Sequence, residues 1–146
     1  MKTYTIGFTQ KDARHFFTLI KKNQIARIID VRLNNLSQLA GFAKRDDLKY
    51  FLSEICDSEY IHIAELAPTK IMLNDYKKNI ISWEAYQDKF INLIAQRHIE
   101  RTIDKALLAN GCLLCSEHNP DQCHRRLVIE YLNQCWNTNI DIIHLL

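Results

Sequence analysis

The chain has 146 residues, 47% hydrophobic and 25% charged, which excludes a disordered polymer and allows one sizeable core. A net charge of +2 argues neither for nor against nucleic acid by bulk electrostatics. No apolar run approaches the ~18 residues of a membrane helix. The N-terminus lacks the apolar stretch of a signal peptide, and five cysteines is an odd count. The expectation is a cytoplasmic protein with reduced thiols, no membrane partner and one domain over 1–146. With three Gly and two Pro, it should be dense in regular structure.

Taken in order, Tyr4 to Phe8 reads as a short strand. Thr9 and Asp12 fit a T-x-x-D capping box ahead of a helix whose apolar face is Ala13, Phe16, Phe17 and Ile20, ending near Asn23. Ile25 to Arg32 is the next strand, and Asp30 and Arg32, two apart, share a face at its carboxyl end. Strand, helix and strand within about 30 residues predict a right-handed βαβ unit. A polar connection, 33–44, follows on the same side. Leu48, Phe51, Leu52 and Ile55 mark a second helix, and Tyr60 to Ala64 a third strand. A loose helical stretch holds Asp75 and Tyr76. Ser82 caps a helix carrying Trp83, Tyr86, Phe90, Leu93 and Ile94, with a break expected near Arg97-His98. Ile99, Ile103, Ala106 and Leu107 continue to Gly111, and Ile140 to Leu145 closes the chain. Strands alternating with helices predict an α/β single domain, a mostly parallel sheet flanked by helices on both faces.

The densest chemistry lies between Gly111 and Leu127, G-C-L-L-C-S-E-H-N-P-D-Q-C-H-R-R-L. Gly111 to Ser116 is apolar and predicts a buried strand. Asn119, Pro120 and Gln122 look like N-cap, first helical residue and capping-box partner. Cys123, Leu127 and Tyr131 repeat at fours beside Val128, Leu132 and Cys135, so one helix is expected from about 120 to 135. In open α/β sheets ligands bind beyond the carboxyl ends of strands, where helix N-termini favour anions.

Cys115 is the candidate nucleophile, a thiol at a strand end near His124 and Arg125; the alternative is a structural thiol. His124 can act as acid or base, or as a hydrogen-bonded loop anchor to Glu117 or a strand-end carbonyl. Arg125 is expected to point off the helix's apolar face toward an anion, and Arg126 to pair with Glu130. Asp30 and Arg32 either pair with each other or serve the site, and Lys70 either approaches an anion or is solvated. Cys112-x2-Cys115 with Cys123-His124 resembles a zinc count of four. Residues three apart on a strand face opposite sides, so no metal or other cofactor is expected. A reduced set of Cys115, His118, Cys123 and His124 is the rival. The Trp83, Tyr86 and Phe90 stripe reads as core.

L-L-C-S-E-H-N-P-D-Q-C-H-R (113–125) resembles the signature of the Domain of Unknown Function 488 family. T-I-G-F-T (5–9), I-D-V-R (29–32), L-A-P-T-K (66–70), D-Y-K-K (75–78) and S-W-E-A-Y (82–86) are similar to its other blocks, in the same order. The resemblance covers essentially the whole chain and implies an α/β fold with a shared site. It brings no established activity, since the family is named for lacking one. Many relatives carry arginine or proline near 38–40, where this chain has Gln38, Leu39 and Ala40. A fainter analogy is to rhodanese-type domains, although Cys115 and Arg125 stand too far apart for their tight loop.

Two functional expectations follow. One is an enzyme using Cys115 and His124 on an anionic, phosphate-bearing ligand, a small nucleotide or nucleic acid, with Arg125, Arg32, Asp30, Thr9, Glu117 and Lys70 around it. The other is a non-catalytic nucleotide-, nucleic-acid- or protein-binding module whose cysteines are structural.

Overall fold

In the computed structural model, residues 1–36 and 41–146 are described. Gln38, Leu39 and Ala40 lie outside them. Among the described residues, five strands form one all-parallel sheet: β1 (Lys2–Gly7), β2 (Arg27–Asp30), β3 (Glu59–His62), β4 (Gly111–Cys115) and β5 (Asp141–Leu145). Their spatial order is β3-β2-β4-β1-β5. The central strand is therefore β4, all five of whose residues are buried. Its unbroken apolar run is what a strand covered on both faces requires.

The helices divide between the two faces. Phe16, Phe17 and Ile20 of α1 (Ala13–Lys22) and Leu48 of α2 (Arg45–Phe51) pack with Ile6, Ile28, Cys112 and Leu114. A π-helical turn, Leu52–Cys56, continues α2. On the other face, Phe90 and Ile94 of α4 (Trp83–Gln96) and Leu127, Val128 and Leu132 of α6 (His124–Trp136) pack with Ile29, Leu113 and Cys115. Between them in sequence lie α3 (Lys70–Lys77), capped by Thr69, and the short α5 (Ile99–Thr102). Large apolar side chains at helical spacing thus meet the alternating faces of the strands.

Three local expectations are corrected. Asp12, not Thr9, caps α1, its carboxylate accepting from His15 N at 2.8 Å. The Ile99–Leu107 pattern is two short pieces, because Ile103 is extended between α5 and a 3-10 turn at Lys105–Leu108. The helix expected from 120 is divided: Pro120–Gln122 is a 3-10 turn, and Cys123 is extended at φ −139 and ψ 139 before α6 begins at His124. The break lets Cys123 turn its thiol inward while α6 keeps its own apolar face.

Registers place the site. Gly7 pairs with Cys115, and Asp30 with Leu114, so β1, β2 and β4 end together. From neighbouring β2 and β4 the chain leaves toward opposite faces, to α2 and to α6. A crevice opens between such connections in a parallel sheet.

Candidate active site

Arg32, Asn34, Pro68, Tyr76, Tyr86, Cys115 and His124 are among the residues lining a narrow cleft of about 100 Å³ at that crevice. A larger groove, about 680 Å³, lies between α1 and residues 41–55; it holds none of the predicted site groups.

Cys115 ends β4. His124 opens α6 and places Nδ1 3.5 Å from Cys115 Sγ, while Nε2 lies 2.7 Å from the backbone oxygen of Val31. A carbonyl only accepts, so Nε2 carries a proton. Nδ1 therefore faces the thiol as an acceptor, or as a donor once the ring is protonated. Phe90 meets the imidazole edge-on at 5.2 Å between ring centroids. Both contacts hold the ring in one orientation.

The Cys115 thiol is pulled below its ordinary value, chiefly by a hydrogen bond from Cys123, and also by the Arg125 charge and the backbone N–H groups of Ser116 and Glu117. Burial works against this shift. Cys123 is pushed well above the ordinary value, first by burial and then by its contact with Cys115. Of these two sulfurs, Cys115 ionises first. A thiolate at a strand end under two N–H groups is the reactive form of cysteine.

Arg32 is almost fully buried. Its Nε and Nη2 donate to the two oxygens of Asp30 at 2.9 and 2.8 Å, and its guanidinium lies over Phe8 at 5.4 Å. Tyr60 Oη donates to the same carboxylate at 2.5 Å. Asp30 is thus saturated and orients Arg32, whose Nη1 is buried without a partner among the described residues. A buried guanidinium N–H without an acceptor carries an unmet desolvation cost.

The remaining expected residues separate. Arg125 does not point off the apolar face. It is fully buried, donating from Nη1 to the carbonyl of Glu117 and from Nη2 to that of His118 at 3.1 Å. The loop after β4 folds back over the helix start, so the guanidinium expected to face an anion is enclosed by carbonyls. Glu117 is exposed and lines the cleft. Thr9 donates to Ser116 O at 2.8 Å and ties the end of β1 to this loop, away from the cleft. Lys70 is exposed at the start of α3 and is not brought to the cleft wall. Arg126 pairs with Glu130 at 3.0 Å, as the i,i+4 spacing predicts.

Tyr76, Lys77, Tyr86 and Gln122 also line the cleft, and residue-by-residue reading missed them. Tyr86 is core, as its spacing predicts, and also forms the cleft floor. The available signal was the set of family-like blocks: Pro68, Tyr76, Lys77 and Tyr86 come from three of them. Cys112 faces the other side of the sheet, as strand parity requires. Cys115, Cys123 and His124 place their ligand-capable atoms within 4.8 Å of one another.

Fold and site together define an α/β protein with a buried cysteine–histidine pair at the carboxyl edge of a parallel sheet. The chain belongs to the family described as Domain of unknown function DUF488, whose model matches residues 12–132. No curated protein and no solved structure matches it. Among the described residues, no helix is long and apolar enough to cross a membrane.

Proposed function

We propose that this is a cytoplasmic thiol-dependent enzyme acting on a small anionic, phosphate-bearing ligand such as a nucleotide or a nucleic-acid end. The observation that carries it is the 3.5 Å approach of Cys115 Sγ to His124 Nδ1, with Nε2 held by Val31 O. His124 takes the thiol proton and Cys115 sulfur attacks the ligand's phosphorus; the S–P bond forms, the P–O bond to the leaving group breaks, and the imidazolium gives its proton to the departing oxygen. Arg32 Nη1 offers the ligand's anionic group an N–H donor. A cleft of about 100 Å³ admits the end of such a ligand and excludes a duplex.

The test is alkylation, located by peptide mass mapping. Cys115 should react with iodoacetate below pH 7, and faster than with neutral iodoacetamide, reversing the order seen for a free thiol. Inorganic phosphate should slow it. His124→Gln, which can still bond Val31 O, should lose the reactivity below pH 7. If Cys115 reacts only on unfolding, the protein is a binding module with structural cysteines.

A second reading rests on the same trio. Ligand bonds of ~2.3 Å to sulfur and ~2.0 Å to nitrogen give a tetrahedral edge of about 3.5 Å, matching the Cys115–His124 separation. A His ligand whose other nitrogen donates to a backbone carbonyl is also the usual supporting arrangement. Strand parity removes Cys112 from a zinc set but does not remove Cys123. One equivalent of zinc in purified protein, with Cys115 protected from alkylation until a chelator is added, would favour this reading over the thiolate.

A further inference from the structure

Cys123 is a second thiol that the proposed chemistry does not use. It is buried and has its sulfur within 4.8 Å of both Cys115 Sγ and the nearer His124 nitrogen. Arg125 Nη1 approaches that sulfur at 3.6 Å, so a thiolate formed there meets a positive charge. Cys123 is also the extended cap residue shared by a 3-10 turn and α6. Its partner is anchored in the central strand. A disulfide needs the sulfurs to close to about 2.05 Å.

We infer that Cys115 and Cys123 form a reversible redox pair, in which Cys115 attacks a hydroperoxide and Cys123 resolves the product. The inference rests on the reading of Cys115 as a reactive thiolate. Cys115 thiolate attacks the nearer peroxide oxygen; the S–O bond forms, the O–O bond breaks, and the departing alkoxide or hydroxide takes the proton from His124. Cys115 is now a sulfenic acid, oxidised by two electrons, and the peroxide is reduced to an alcohol or water. Neutral His124 then removes the Cys123 proton. Cys123 sulfur attacks Cys115 sulfur, the S–S bond forms, the S–O bond breaks, and hydroxide leaves as water with the proton held by His124. A dithiol reductant restores both thiols. Cys112, on the other face, is excluded from the exchange.

The experiment treats the full chain with one equivalent of hydrogen peroxide, maps disulfides by mass spectrometry, and traps sulfenic acid with dimedone. The expected result is loss of two hydrogens and a Cys115–Cys123 cross-link, reversed by dithiothreitol. In Cys123→Ser the cross-link should be absent and the dimedone adduct at Cys115 should rise from trace to near-stoichiometric. A wild-type protein in which Cys115 alkylates readily but accumulates sulfenic acid, or pairs with another cysteine, overturns the redox pair and leaves the thiolate reading standing. A Cys115 inert to both iodoacetate and peroxide overturns both. The wild-type mapping decides even if the variant does not fold.

Discussion

Cys112 and Cys115 lie three residues apart on one strand, both buried, and their chemistry differs because they face opposite sides of the sheet. Cys112 packs among Phe16, Phe17, Leu48 and Leu114. Burial pushes its thiol far above the ordinary value, and the charges of Arg125 and Lys11 offset this only in part. Cys115 is just as enclosed by apolar neighbours, yet its thiol shifts down. The difference is the end of the strand. There, unpaired N–H groups, a second thiol, an imidazole and a charge can all reach one sulfur. Burial alone makes a thiol inert; burial beside fixed dipoles makes it acidic.

Four measurements test whether the strand end makes this difference. Arg125→Met should have the largest effect. It strips the carbonyls of Glu117 and His118 of their donor and removes a charge near Cys115, so we expect a loss of about 2–3 kcal/mol in urea unfolding. Cys115 alkylation should slow while Cys112 stays unreactive. Unchanged Cys115 reactivity would mean that the loop does not activate it.

Gly7→Ala follows. Gly7 pairs with Cys115 across the sheet, and a Cβ there would overlap the carbonyl of Glu117. The loop must shift, at a cost of about 1–2 kcal/mol, typical of overpacking. Reactivity at Cys115 should fall with it; a variant as stable and as reactive as the parent would show that this contact does not hold the loop against Cys115.

The third measurement is pH. Cys112 and Cys123 ionise less readily folded than unfolded, so above about pH 9, the ordinary value, the folded chain holds more protons and stability falls as pH rises. Tyr60 and Tyr86, also raised, add to the fall above 10. Lys11, lowered by burial and Arg125 to about 8, works the other way between there and 10.5. Cys115 is lowered, so its contribution is complete in this range and is lost only as pH drops through its folded value. Cys112→Ala should flatten the alkaline slope above pH 9 by roughly 1 kcal/mol per pH unit, leaving Cys115 alkylation unaltered. An unchanged slope would show that Cys112 is not the inert thiol described.

The smallest effect belongs to Arg126→Ala. Its ion pair with Glu130 is partly exposed and its only other bond is to the carbonyl of Asp121 among the described residues, so the loss should be about 1 kcal/mol or less with no change in thiol reactivity. Set beside Arg125→Met, it separates a surface charge from a buried clamp one residue away.

Much of the fold was legible because strand and helix periodicity are local. All five strands appear near their expected positions, and the apolar run at Gly111–Cys115 announced a strand covered on both sides. Strand parity likewise separated Cys112 from Cys115. The convergence of Cys115 with His124 was half legible, since a strand end and the following helix start are close in sequence. Sequence could not order the strands, because apolar runs do not encode which neighbour they bond. It could not say that Arg125 is enclosed and Arg126 is not: the loop folding back over the helix start decides that, and both are plain arginines on a helical pattern. The partner of His124 is a backbone carbonyl 93 residues away, which no side-chain motif reports. The same holds for the Arg32 nitrogen that has no partner among the described residues, left over once Asp30 has used its two oxygens on the other two. Local pattern determined the elements and the residue types at the sheet edge; only tertiary packing decided which polar atoms are satisfied.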